Sequence, residues 1–193
     1  MNILIVGGGT GGTIVANNLA RRLSSEIQNQ KAKITMLSAS DRHMYQPGLL
    51  YVAFGEMMPD ELYRDQKGLM EPSIDFHVDP VEKFELDDNK VTTKSGKTYG
   101  YDILVIATGS RTMPKKIPGL VEGAETFYTE EGAVKLFKKL REFEGGKIGI
   151  VVGVPHKCPI APVEAVFALH EYFVKRGIRD KVEIKYNYPI NRI

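Results

Sequence analysis

Residues 1–23, MNILIVGGGTGGTIVANNLARRL, carry an apolar run into a glycine cluster and out into a second apolar pattern of longer period. Asn2 to Val6 has no polar alternation, which predicts a short parallel strand buried on both faces. Gly7, Gly9 and Gly12 follow in G-x-G-x-x-G spacing, with Thr10 and Gly11 between the last two. Ile14, Val15, Leu19 and Leu23 then recur at helical intervals. In this order each glycine meets a separate need. Gly7 allows the tight turn, Gly9 lets the backbone approach a pyrophosphate, and Gly12 lets the helix lie close on the strand. The phosphates would rest on the helix N-terminus, where unpaired N–H groups and the dipole favour negative charge. A structural glycine turn is the competing reading. The flanking strand and helix, and a second strand at Lys33 to Leu37, favour the nucleotide fold.

That second strand should end in an acid that holds the ribose hydroxyls. Leu37 is instead followed by Ser38, Ala39 and Ser40, with Asp41 three positions late. Ser38 offers a hydroxyl to the ribose, a weaker partner than a carboxylate.

At 193 residues, with 42% hydrophobic content and 19 glycines, the chain can bury one sizeable core, or one domain and part of another. Its 26 basic and 24 acidic residues leave a formal charge of +2, which argues against nucleic acid as a partner. Lys138, Lys139 and Arg141 mark a solvated helix face. A single cysteine, Cys158, cannot close an internal disulfide and fits a reducing compartment. The N-terminus has no basic leader, and no stretch is long enough to span a membrane. Two ligands at His156-x-Cys158 are too few for zinc, and His43, His77 and His170 have no paired spacing, so no metal is expected.

Further along, Lys90 to Thr93 and Thr98 to Tyr101 flank a Ser-Gly turn and predict a hairpin, with Glu82 to Asp87 as another strand of the same β excursion. Tyr101 to Ile106 continues as a buried strand into Ala107-Thr108-Gly109-Ser110. Thr129 to Phe143 predicts a helix leading to Gly145-Gly146, and Met44 to Gly55 a loop entering a short helix. Lys147 to Val152 predicts a strand, and Ala161 to Arg176 a helix through Val163, Val166, Phe167 and Leu169, with Pro162 in its first turn.

Taken together, GGGTGG at 7–12, SASDRHMYQPG at 38–48, VTTKSGKTYGYDILVIATG at 91–109 and the cysteine turn at 153–164 resemble the sulfide:quinone oxidoreductases. These share a superfamily with the pyridine nucleotide–disulfide reductases and type II NADH dehydrogenases. The resemblance implies an α/β, Rossmann-like FAD/NAD(P)-binding three-layer fold with a small β excursion, followed by the start of a second Rossmann-like domain. It divides the chain into an FAD-binding portion at 1–112, a connecting segment and helix at 113–144, and the first βαβ unit of a second nucleotide-binding-like domain at 145–193. FAD is the implied cofactor, with contacts from Gly7, Gly9, Thr10, Gly11, Gly12, Ser38, Ala39, Arg42, Pro47, Val81, Ala107, Thr108 and Gly109. The loop around Pro47 is placed near the flavin by this likeness, while a surface loop is the competing reading.

In NAD(P)H-using relatives the strand before the second domain's first helix ends in another glycine fingerprint. Here it ends in Gly153-Val154-Pro155-His156-Lys157-Cys158, where side chains block a pyrophosphate and prolines remove N–H donors. Cys158 stands beside a helix N-terminus, with Lys157 and His156 adjacent, which favours the thiolate that attacks sulfur or flavin. A buried inert thiol is the alternative. The resemblance makes Cys158 redox-active in sulfur transfer and gives Glu164 a part in proton movement; a carboxylate complementing the helix N-terminus is the other reading of Glu164. Many family members carry a further cysteine where this chain has Tyr128.

The implied activity is oxidation of sulfide to zero-valent sulfur, with electrons passing through FAD to a quinone. The likeness covers only the N-terminal portion of the family's length, so the second redox partner, the quinone pocket and the membrane-seating elements are expected beyond Ile193, and the chain alone is not expected to turn over. A cytoplasmic location follows, seated peripherally on the inner face of the cell membrane through those elements, with homo-oligomer assembly left open. The competing functions are a type II NADH:quinone dehydrogenase-like flavoprotein and a non-catalytic FAD-binding fragment.

Overall fold

The computed structural model describes residues 1–189, so positions 190–193 of the expected 145–193 segment lie outside the described residues. Along the chain run β1 (Asn2–Val6), α1 (Thr10–Arg22), α2 (Ser24–Gln28), β2 (Lys33–Ser38), β3 (Arg42–Met44), α3 (Gly48–Ala53), β4 (Tyr63–Asp65), β5 (Asp75–Val78) and β6 (Val81–Glu85). There follow β7 (Lys90–Thr93), β8 (Thr98–Gly100), β9 (Ile103–Ile106), α4 (Leu120–Gly123), α5 (Glu130–Glu142), β10 (Gly146–Val151), α6 (Ala161–Lys175) and β11 (Val182–Asn187). These form two compact units, Met1–Met44 with Tyr63–Gly109, and Tyr45–Leu62 with the described residues from Ser110 onward.

The first unit is built on a parallel sheet of order β5-β2-β1-β9, with Ile3 paired to both Ile34 and Ile103, and Val6 to both Leu37 and Ile106. Alternate residues of β1 serve opposite faces. Ile3, Ile5, Ile34 and Met36 pack on Ala16 and Ala20 of α1, while Leu4, Val6 and Leu37 pack on Val91 and Tyr99 of the antiparallel meander β6-β7-β8. This explains why β1 is apolar throughout: each side of the sheet carries a layer, giving three in all.

Three expectations need adjustment. Ile14 is 54% exposed, and the buried face of α1 is Gly12, Thr13, Ala16 and Ala20, because small residues let the helix axis come close to the sheet. Tyr101 to Ile106 does not run on from the hairpin as a buried strand. It breaks at Tyr101–Asp102, where Asp102 donates its N–H to Asn2 O at 2.9 Å and accepts the Asn2 N–H on its carboxylate at 2.6 Å. The strand beyond it, β9, is a sheet edge with Ile103 and Ile106 exposed. The strand expected at Glu82 to Asp87 ends at Glu85 and passes into a 3-10 turn at Leu86–Asp88. A fourth parallel strand, β5, and the short β3-β4 pair had no apolar run long enough to announce them.

In the second unit β10 and β11 pair in parallel around α6, a βαβ connection. Thr129 caps α5 by accepting the Gly132 N–H at 3.1 Å. The other end of α5 is held by Arg176, whose Nη1 donates to Leu140 O and Phe143 O at 2.6 and 2.7 Å. Phe173 is fully buried, and Gly55, at φ +74°, lies where a Cβ would come within 2.3 Å of the Phe137 ring. The segment Tyr45–Leu62 therefore packs in this unit rather than with the sequence around it. No helix among the described residues is long and apolar enough to cross a membrane.

One buried acid ties the meander to the sheet. Asp79 follows β5, donates its N–H to Ser38 O at 2.9 Å, and accepts from the hydroxyls of Thr93 and Ser95 at 2.7 and 2.5 Å. These donors, Ser95 first and Thr93 next, hold its carboxyl below the ordinary 3.8. A depressed folded value stabilises the fold above the unfolded value, and the contribution is lost as pH falls through the folded one. Asp79→Asn should therefore lower the unfolding temperature at neutral pH and flatten its further fall between about pH 5 and about pH 2. Thermal melts across that range check this; an acid slope identical to wild type would remove Asp79 from the account.

Candidate functional site

The glycine turn forms as the spacing requires. Gly7 has φ +115°, and a Cβ there would lie 2.2 Å from Ala107 O. A Cβ on Gly12 would lie 1.9 Å from Gly7 O. Neither position can carry a side chain without moving backbone. Gly9 and Gly11 differ: a Cβ on either meets nothing within 4 Å, so they face open space. Gly9 is the N-cap of α1, in extended conformation, with no side-chain cap and no acidic residue in the first helical turn. The first N–H groups of a thirteen-residue helix thus point out unopposed by negative charge.

Ala107 and Thr108, at the end of β9, pack against this turn. Ala107 donates its N–H to Val6 O at 2.8 Å, and its Cβ approaches Gly12. Gly109 has φ +71°. Ser38 lies directly against Gly8, where a Cβ would meet its Oγ at 2.4 Å. Its hydroxyl closes a local turn, donating to Ser40 O at 2.8 Å and accepting from Ser40 N–H at 3.2 Å. Thr10 and Ala39 are exposed. Arg42, on β3, stacks its guanidinium 3.7 Å over the Tyr63 ring. Val81, at the start of β6, packs on the core beneath the meander. The structure thus brings Gly7 to Gly12, Ser38, Ala107 and Thr108 into contact around one opening. Pro47, Cys158 and Glu164 belong to the other unit, where Pro47 is the exposed N-cap of α3.

The cysteine turn leads from β10 into the fifteen-residue α6. A Cβ on Gly153 would meet the Ile117 side chain at 2.6 Å, so this glycine is needed for packing. Cys158 is half-buried, and its Sγ accepts the Ala161 N–H at 3.4 Å, an amide of the first turn of α6. The adjacent cationic groups are directed elsewhere. Lys157 Nζ donates to Ser110 O at 3.1 Å, and His156 Nε2 meets Tyr188 OH at 3.0 Å. Tyr128 donates its hydroxyl to Cys158 O at 3.5 Å and stacks on Phe127. Burial, and then the neighbouring cysteine, push its phenol above the ordinary 10.0. Glu164 is exposed in the first turn of α6.

Residues that local sequence reading missed stand behind the glycine turn: Gly8, Thr13, His43 and the fully buried Gln66. Their partners lie up to 53 residues apart, and no periodicity records such a contact.

Residues 1–153 match the family described as pyridine nucleotide-disulphide oxidoreductase. The mitochondrial sulfide:quinone oxidoreductase of Dictyostelium discoideum is 31% identical over 194 residues, covering 96% of this chain and 41% of that protein. The crystal structure of the sulfide:quinone oxidoreductase of Aquifex aeolicus superposes with a TM-score of 0.78 at 30% identity, over 96% of this chain and 42% of that one. The alternative NAD(P)H-ubiquinone oxidoreductase C1 of Arabidopsis thaliana is 28% identical over 206 residues, covering 96% of this chain and 38% of that protein. The chain spans about two fifths of the length of the relatives it matches.

The glycine geometry separates two substitutions that look alike in sequence. Gly12→Ala should destabilise the fold by about 1–3 kcal/mol through overpacking against Gly7 O. Gly9→Ala should leave the unfolding temperature unchanged and weaken dinucleotide binding alone, because its methyl enters the open space. Paired thermal melts and FAD titrations check this; equal destabilisation by both would refute the assignment of the open face.

Proposed function

This chain belongs to the pyridine nucleotide-disulphide oxidoreductase family, and from that premise we propose that it is the dinucleotide-binding part of a flavoenzyme oxidising sulfide at Cys158 and passing electrons by way of FAD to a quinone. The observation that carries the reading is the turn after β10. A thiol accepting a helix N-terminal amide stands where a second glycine fingerprint would hold NAD(P)H.

The residues present fit FAD. Gly9 and Gly11 leave room for a pyrophosphate, the N-terminus of α1 supplies unpaired donors, and Ser38, Ala107 and Thr108 border the same opening. Gly7, Thr10, Gly12, Ala39, Arg42, Val81 and Gly109 complete the proposed contacts. Bound FAD supplies the two-electron acceptor that the protein's own side chains lack. Cys158 would take up the sulfur of sulfide: thiolate and sulfide are both electron-rich, so the S–S bond between them would form only as two electrons pass to bound FAD and the protons of sulfide pass to solvent. Cys158 Sγ accepts the Ala161 N–H, and its partial exposure leaves the sulfur reachable. Sulfide gives up two electrons in becoming zero-valent sulfur. Glu164, exposed at the same helix terminus, is placed to exchange protons with solvent, and the same position complements the helix dipole. With Tyr128 beside it, Cys158 has no thiol partner within this chain, so the second redox group, the quinone site and any membrane seating are assigned to the remainder of the enzyme.

The likeness to the Arabidopsis enzyme favours a second reading, an NADH-oxidising quinone reductase. Against it, the turn retains only Gly153, while Pro155 and Pro159 provide no N–H groups for a second pyrophosphate. In the full-length protein, sulfide should bleach the flavin absorbance and NADH should not. Cys158→Ser should slow the sulfide-driven bleaching by at least about a thousandfold, on the scale of removing a nucleophile, while FAD stays bound. Bleaching by NADH, or an unchanged rate in the variant, would overturn the proposal.

A further inference from the structure

Between the glycine turn and β3 lies a small polar group with every proton accounted for. Gln66 is 0% exposed and sits just after β4. Its Nε2 donates to Thr13 Oγ1 at 2.8 Å and approaches Met70 Sδ at 3.5 Å. Thr13 Oγ1, having accepted that proton, donates its own to Gly8 O at 3.3 Å. His43 Nδ1 lies 2.9 Å from Gln66 Oε1 and 3.2 Å from Gly8 O. Both of those oxygens are acceptors, so Nδ1 carries the hydrogen. Turning the Gln66 amide over would present N–H groups to His43 and draw the Thr13 hydroxyl toward the amide oxygen. Gly8 O would then lose both donors, so only one orientation satisfies the group.

The object held by this network is a peptide plane. Gly8 O and Gly9 N–H belong to the same amide, so fixing the carbonyl inward fixes the Gly9 N–H outward, on the face where Gly9 borders open space. We infer that His43 and Gln66 are positioning residues for dinucleotide binding: through Gly8 O they aim the Gly9 amide of the phosphate turn. This rests on the dinucleotide reading of the turn and adds to it the residues that set its affinity. A buried amide that reaches α1, β3 and the segment after β4 is costly to leave unsatisfied, so the network has a single low-energy arrangement.

The test uses the 193-residue chain, with FAD binding followed by quenching of flavin fluorescence and folding followed by thermal melts. His43→Leu and Gln66→Met should each weaken FAD binding by about tenfold, the change that one net hydrogen bond commands. His43→Gln, which restores a donor toward Gly8 O, should stay within about threefold of wild type. A purely structural role would shift the melting temperature without separating leucine from glutamine at position 43. Folded His43→Leu protein that binds FAD like wild type, or His43→Gln as impaired as His43→Leu, would overturn the inference. Should Gln66→Met fail to fold, the two His43 variants decide. If the wild-type chain binds no FAD, the flavin reading fails on its own account. The positioning network is then judged by nuclear magnetic resonance: a solvent-protected His43 Nδ1 proton in wild type supports it, and rapid exchange of that proton refutes it.

Discussion

The carbonyl oxygen of Gly7 passes so close to the Cα of Gly12 that no side chain fits between them. Everything in the first unit depends on that approach. It allows α1 to begin within a few residues of the end of β1 and to lie flat on the sheet through Ala16 and Ala20. It also leaves the first N–H groups of the helix facing outward, with no side-chain cap among the described residues to claim them. A bulkier residue would push the helix away, opening the core and displacing the turn in one movement.

Much of this was legible in the sequence because it is local. The glycine spacing, the uninterrupted apolar run of β1 and the Ser-Gly hairpin each fix structure over a dozen residues or fewer, and each formed where expected. The strand and helix of β10 and α6 were read from period and length in the same way, while the parallel partner β11 was implied only by the family resemblance. What the sequence did not reveal is non-local. Gln66 reads as one more polar residue in a loop, yet it is fully buried because its partners come from α1 and β3. Tyr45–Leu62 belongs to the second unit because Gly55 admits the ring of Phe137. Lys157 and His156 look like companions of the thiol when read along the chain, but the fold commits one to Ser110 and the other to Tyr188. Adjacency in sequence overstated their charge at the sulfur.

The two turns that follow parallel strands make an instructive pair. Both lead from a strand into a long helix, and both expose the helix N-terminus. After β1 the turn is stripped of side chains, so a ligand can reach the amides. After β10 a cysteine side chain occupies the terminus itself, its sulfur accepting the Ala161 N–H. One backbone device thus presents open amides in one turn and an occupied amide in the other, according to whether a side chain reaches the terminus.

Ser38 adds an asymmetry of its own. A serine hydroxyl has one proton, and here it is committed to Ser40 O, while one of its lone pairs already receives the Ser40 amide. What remains is a single accepting lobe. Any hydroxyl that meets Ser38 must bring the hydrogen itself, so a bond formed at this corner runs one way. A group without a hydrogen to give offers nothing that Ser38 can take.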